Sequence, residues 1–170
     1  MNFALGILLM LSLAHGGVPQ SDGSHVRASE PRMRSAVSSG IARSTFFAGL
    51  VARLDASDVI AYVETDCLMP ESLQGRLTFM SIGGGRRYLM IQIACALTGS
   101  GQIAMIGHEL QHAVEIANAE SVVDAASLGA EYRRIGFASR SQRPGCGYDS
   151  RAAIDAGYRV WRELVSGADD

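Results

Sequence analysis

Gly107-His108-Glu109-Leu110-Gln111-His112 is the stretch on which the reading of this chain turns. Two histidines four residues apart lie one turn from each other on the same helix face. Both imidazoles then reach a single zinc ion at about 2.0–2.1 Å. Glu109 follows the first histidine and can lean toward the ion's open side. A carboxylate there takes a proton from water and later passes it to a leaving amine. The spacing works only on a helix, and the flanking sequence supplies one. Ile103, Ile106, Leu110, Ala113, Val114 and Ala117 recur at the helical interval as an apolar stripe, with both histidines at its border. This predicts a helix from about Gly101 to Ala117, with Ser100 as its cap. The other two histidines, His15 and His25, fall in an N-terminal segment of different character.

Around the motif the pattern alternates between helix and strand. The stripe Val37, Ile41, Phe47, Leu50, Val51 and Leu54 predicts one helix over about Ala36 to Leu54. The β-branched and aromatic run from Val59 to Glu64 reads as a strand. Arg76 to Ile82, with Leu77 and Phe79 on one face, reads as a second. Arg87 to Ala94, with Leu89, Ile91 and Ile93 inward, reads as a third. Gly83-Gly84-Gly85 is the turn between the last two. After the motif helix come a helix over Ala125 to Ile135 and a polar loop over Gly136 to Gly147. A final helix, capped by Asp149 or Ser150, runs to about Val165, with Ile154, Val160, Trp161 and Leu164 as its apolar side. The fold class is α+β: a small antiparallel or mixed sheet of about three strands, packed with a buried motif helix and flanking helices, over residues 36–170.

Composition narrows the function. The chain has 170 residues, enough for one domain, and 48% are apolar. Its formal net charge is −2, and no basic run gives an electrostatic footprint for nucleic acid. All 15 basic residues are Arg. Without Lys there is no Schiff-base lysine and no P-loop lysine. Phe3 to Leu13 is almost wholly apolar but shorter than the ~17–25 residues that span a bilayer. Ser12 and Ala14, or Ala14 and Gly16, fit a cleavage site, so residues 1–16 read as a signal peptide. No Cys follows to carry a lipid. The mature chain is expected to be exported, periplasmic or secreted, with no stable membrane association. Residues 17–35, with Gly, Pro, Ser and isolated charges, read as a flexible linker.

Cys67, Cys95 and Cys146 suggest one disulfide and one free thiol in an exported protein. The pair Cys67–Cys95 is expected. One follows the first predicted strand and the other ends the third, so in a meander both lie on the same side of the sheet, near the ~5.5–6 Å Cα separation a disulfide needs.

The motif helix resembles that of the zincin metallopeptidases, and the stretch Gly107 to His112 is similar to one in small exported bacterial proteins of uncharacterised function. The resemblance implies zinc, peptide-bond hydrolysis and a peptide or protein substrate. It also implies a sheet edge near the metal that holds an extended peptide by strand addition; the strand directly before the motif helix, Arg87 to Ala94, is the expected edge. A catalytic zinc takes three protein ligands and a water. The third is expected among downstream carboxylates. Asp124, twelve residues after His112, resembles the aspzincin arrangement and comes first. Glu131, nineteen after it, resembles the gluzincin arrangement and comes second. Glu120 and Asp149 stay open. Glu115 has a long reach for direct ligation and is expected instead to orient His112 or a neighbouring polar group. Tyr132, Tyr148 and Arg133 are candidates for stabilising an oxyanion. The alternative function is a non-catalytic, zinc-stabilised binding module, which keeps the histidines but has no open coordination position.

Overall fold

The computed structural model describes residues 23–138 and 147–166. The expected signal peptide and Cys146 lie outside the described residues. In chain order the elements are β1 (Val26–Ala28), α1 (Pro31–Arg43), α2 (Thr45–Asp55), β2 (Val59–Asp66), β3 (Gly75–Gly83), β4 (Arg86–Ala94), α3 (Gly99–Ala117), α4 (Ala125–Ile135), β5 (Phe137–Ala138), β6 (Tyr148–Asp149) and α5 (Arg151–Ser166). The fold is α+β. Its main sheet is mixed and four-stranded, in the order β1-β2-β4-β3. β1, β2 and β4 run parallel, and β3 returns antiparallel to β4. Gly84 and Gly85 both take positive φ, 56° and 72°, which matches the right-handed strand twist in a two-residue hairpin.

Strand alternation places one row of apolar side chains under the helices. Ala61 pairs with Leu89 and Val63 with Ile91, while Leu77 and Phe79 of β3 sit opposite Ile91 and Leu89. Val26 and Ala28 extend this buried face through β1. From the helical side Phe47, Leu50, Leu54, Ile106, Leu110 and Ile116 complete the core. Leu89, Ile91 and Ile93 point inward and Leu77 and Phe79 share one face, as the alternation implied.

Four expectations change. The proposed linker over 17–35 contains β1 and the start of α1: β1 pairs with β2, and Met33 is fully buried. Glu30 ties this segment down by accepting from the Thr65 backbone N–H at 2.9 Å and its hydroxyl at 2.7 Å. Pro31 then opens α1, where its fixed φ suits the first helical turn. Second, the single helix over Ala36 to Leu54 is two helices. Ser44 breaks it by turning extended and accepting from the Phe47 backbone N–H at 3.0 Å. Third, Arg87 to Ala94 is not an edge. β4 lies inside the sheet, because β2 joins it through parallel pairing and β3 takes the outer place. Fourth, α3 starts at Gly99 with Thr98 as its N-cap residue, so Ser100 lies inside the helix.

Cys67 and Cys95 are joined by a disulfide across a Cα separation of 4.9 Å. The pairing matches expectation for a different topological reason. β2 and β4 are parallel neighbours, so the residues just past their C-terminal ends meet directly.

One buried cation fastens the motif helix to the sheet. Arg87 on β4 forks onto Asp58, both contacts at 2.7 Å. The same guanidinium donates to the carbonyls of Ile116 at 2.8 Å, Ala117 at 3.2 Å, Ala119 at 2.7 Å and Val122 at 3.3 Å. These oxygens lie at or beyond the end of α3; those of Ile116 and Ala119 also accept from the Ala119 and Val122 backbone N–H groups at 3.0 and 3.1 Å, and Arg87 supplies a further, charged donor. Replacing Arg87 by Ala should cost roughly 1–3 kcal/mol, since the carbonyls at the end of α3 lose a charged donor, while the Asp58 side chain, 44% exposed, stays hydrated. The half-exposed Arg76–Asp66 pair is the control, and Arg76→Ala should cost under about 1 kcal/mol. Urea unfolding of both variants measures the difference, and equal losses would contradict this role for Arg87.

Candidate metal centre

The motif helix is long and mostly buried: His112, Glu109 and Gln111 are nearly inaccessible, along with the apolar stripe. α5 packs against it through small residues. A Cβ at Gly107 would lie 2.8 Å from Val160 Cγ2, and one at Gly157 would lie 3.3 Å from His108 Cβ. Any larger side chain at either glycine would push the helices apart. The approach matters because Asp149 lies just two residues before the start of α5. Docking α5 on α3 therefore carries Asp149 to the histidines.

Asp149 Oδ1 lies 3.4 Å from His108 Nε2 and 3.5 Å from His112 Nε2. One donor atom from each of the three residues falls within 4.8 Å of the others. Ligands bound at 2.0–2.2 Å around a tetrahedral ion are separated by ~3.3–3.6 Å. The two histidine–aspartate distances match that edge. The group of His108, His112 and Asp149 could hold a metal ion.

The surroundings orient these donors. Glu115 Oε2 lies 2.9 Å from His112 Nδ1, which leaves Nε2 turned toward Asp149. The other Glu115 oxygen accepts from the Ser150 hydroxyl at 2.6 Å. Ser150 also accepts from the Ala153 backbone N–H at 3.0 Å, so Ser150 caps α5 and Asp149 is released from that duty. Tyr132 stacks edge-on against His112, ring centres 5.0 Å apart, and its hydroxyl donates to the His112 carbonyl at 3.3 Å. Gly136 lets β5 and β6 close over the end of α4, because a Cβ there would sit 2.5 Å from the Asp149 carbonyl.

The electrostatics follow from this packing. Burial alone would lower the His112 pKa, but Asp149 and Glu115 outweigh it and raise it to about 9. Burial pushes the Asp149 carboxyl up, and the two histidines reverse this and hold it well below the usual carboxylate range. Burial drives the Glu109 carboxyl above its ordinary value, with His112 and His108 pulling the other way. Tyr132 stays a neutral phenol, raised by burial and by the Glu115 charge.

Glu109 lies against the first residue of β3. A Cβ built on Gly75 would come within 2.6 Å of Glu109 Oε1 and 2.9 Å of Met105 Cγ. Because β3 is the edge strand, the sheet border begins beside this carboxylate.

The structure brings His108, Glu109, His112 and Asp149 together and leaves the preferred third ligand out. Asp124 is the N-cap of α4: it accepts from the Ser127 N–H at 2.7 Å, and the Ser127 hydroxyl reaches back to its backbone. That capping box fixes the carboxylate at an exposed helix start. Glu131 faces Arg134, with contacts of 2.9 and 2.5 Å. Glu120 and Arg133 are exposed. Tyr132 serves His112 from behind, and Tyr148 is half-buried on β6. Glu115 orients His112 as expected. Comparisons with protein-family models, curated proteins and solved structures found no match to this chain.

Three variants separate these roles. Asp149→Ala should abolish tight binding of one divalent ion. Glu115→Ala should weaken it ~10–100-fold through the loosened imidazole. Asp124→Ala should leave it unchanged and lower stability through the lost cap. Metal titration with unfolding curves on the same samples reads all three; metal loss in Asp124→Ala with none in Asp149→Ala would reverse the assignment.

Binding should also depend on pH with a known sign. An ion must displace the proton that His112 holds up to about 9. Affinity should therefore rise from pH 6.5 toward 9 and then level off. Calorimetric titration in buffers of different ionisation enthalpy would detect the released proton, and a flat profile would count against His112 as a donor.

Proposed function

We propose that the chain is an exported zinc-dependent peptidase. The observation that carries this reading is the conjunction of a three-donor group, two imidazoles and one carboxylate, with a buried glutamate adjoining the first donor in sequence. Two nitrogens and an oxygen suit zinc, and three protein donors are the number found where a fourth position stays open for chemistry. Zinc held there would act as a Lewis acid on a peptide carbonyl and would acidify water.

The remaining work falls to the chain's own residues. Glu109 takes a proton from the attacking water on its carboxylate and returns it to the leaving nitrogen. Its buried setting favours the protonated form while the histidines favour the ionised one, which suits a group that must alternate between them. Tyr132 and Glu115 hold His112 in one orientation. β3 pairs with no further strand on its outer side among the described residues, and its first residue adjoins Glu109. An extended peptide added along that edge would bring a backbone carbonyl beside the donor group. Export is supported by the disulfide, which persists in oxidising compartments, and by the apolar N-terminal run.

Wild-type protein should carry one zinc per chain by elemental analysis and cleave members of an unfolded-protein or peptide library. Glu109→Gln should keep that zinc and lose ~10²–10⁴-fold in turnover, since the amide cannot accept a proton. Zinc held firmly by a wild type that cleaves nothing across the library would instead make the chain a zinc-stabilised binding module. Undiminished turnover in Glu109→Gln would refute the proton-transfer role.

A further inference from the structure

Beside the donor group lies a groove of about 530 Å³ between the N-terminal half of α3 and α5. Ala104, Met105 and His108 form one wall, and Ile154, Tyr158 and Trp161 form the other. Gln74, the residue before β3, also lines it. No charged side chain lines the groove. Helical periodicity assigns Trp161 to the apolar side of α5, yet the core takes Val160 and Leu164 and leaves Trp161 46% and Tyr158 66% exposed. Two large aromatic rings thus stand uncovered at the rim of an uncharged groove. His108 belongs both to the groove wall and to the donor group, so the two are continuous. A cavity of this size with apolar walls and few polar groups is suited to an organic side chain, not to an ion.

We propose that this groove receives an aliphatic or aromatic side chain of an extended peptide whose backbone crosses the donor group, with Trp161 and Gly101 deciding which side chains fit. The proposal rests on the peptidase reading for the identity of its occupant. Trp161 supplies a flat wall that covers the side chain from solvent. Gly101 leaves the floor open, since a Cβ built there meets no atom within 4 Å. Burying a Leu or Phe side chain in such a groove favours binding by ~10–100-fold over a residue that leaves the groove empty. A carboxylate placed among Ile154, Tyr158 and Trp161, away from the donor group, would lose its water with no cation beside it, so acidic side chains are disfavoured there. Gly101 lies near the start of α3, more than one turn before His108, so a larger residue there narrows the groove without touching the donors.

Trp161 is the only tryptophan in the chain, and its fluorescence reports the groove whether or not a bond is cut. The experiment titrates the zinc-loaded, full-length Glu109→Gln protein with otherwise identical peptides carrying Phe, Leu, Ala or Asp at one central position. Phe and Leu peptides should blue-shift the emission and bind at least ~10-fold more tightly than the Asp peptide. Gly101→Leu, added to the same protein, should remove that preference while zinc content stays the same. Trp161→Ala, followed by calorimetry, should weaken the Phe peptide ~10-fold and hardly affect the Ala peptide. Equal binding of all four peptides, no change in emission on binding, or an unchanged preference in Gly101→Leu would overturn the groove assignment, even in a protein whose wild type cleaves peptides. Selective, Gly101-sensitive binding by a wild type that cleaves none of the peptides would support the groove and reject the peptidase reading.

Discussion

The constraint on which the site depends is the close approach of α3 and α5. Gly107 and Gly157 hold the two helices nearer than side chains would allow, and each sits beside a residue that matters. Gly107 directly precedes His108, and Gly157 presses on the His108 side chain. The segment before α5 then ends where the histidines are. A donor from one region of the chain meets two from another because helix surfaces there carry almost no side chain. The rest of the molecule supports that contact: the sheet covers the apolar stripe of α3, and Arg87 fixes its far end.

Glu115 joins the two halves a second time. One oxygen holds the His112 ring and the other holds the hydroxyl that starts α5. The orientation of an imidazole and the start of a helix are therefore decided by one carboxylate. Ser150 fits the same arrangement, because by taking the cap it leaves its neighbour Asp149 free to face the histidines. Tyr132 fills the space behind His112, so the ring is held by a hydrogen bond on one side and by packing on another.

Much of this could be read in the sequence, for identifiable reasons. The strands showed themselves through alternation, and the pairing of Cys67 with Cys95 through their positions at strand ends. His108, Glu109 and His112 were legible because their relation is local: helix geometry alone puts them together. Asp149 was only one possibility among several, because its relation to the histidines is tertiary and crosses α4 and a small hairpin. Short spacing favoured Asp124, which the capping box claims instead. The available signal was the pair Asp149-Ser150 ahead of a helical run, where only one of the two can be the cap. Val26–Ala28 was missed because three residues give too little alternation to register, and its pairing with β2 crosses two helices. The order β1-β2-β4-β3 was hidden for a similar reason, since hydropathy tells which face of a strand is buried but not which strand lies beside it. Trp161 was placed on the apolar side of α5 but stays half-exposed, because periodicity marks a face and cannot say how far around the helix that face is covered.

The three donors come from two segments that meet only when α5 is docked, and this links ligand occupancy to the local opening of the chain's last third. Any ion held by His108, His112 and Asp149 binds the docked form alone. By mass action it would slow fraying of α5 and β6 by the factor by which its concentration exceeds its dissociation constant, about 2.7 kcal/mol at a hundredfold excess. Amide protons of α5 and the Asp149 segment would then exchange more slowly in the loaded chain, while those of β2 and β4, whose interactions do not pass through the donors, would change less. The same three atoms that define the site would in this way act as a clasp, and a protease meeting the ion-free chain would find its C-terminal part the easier place to cut.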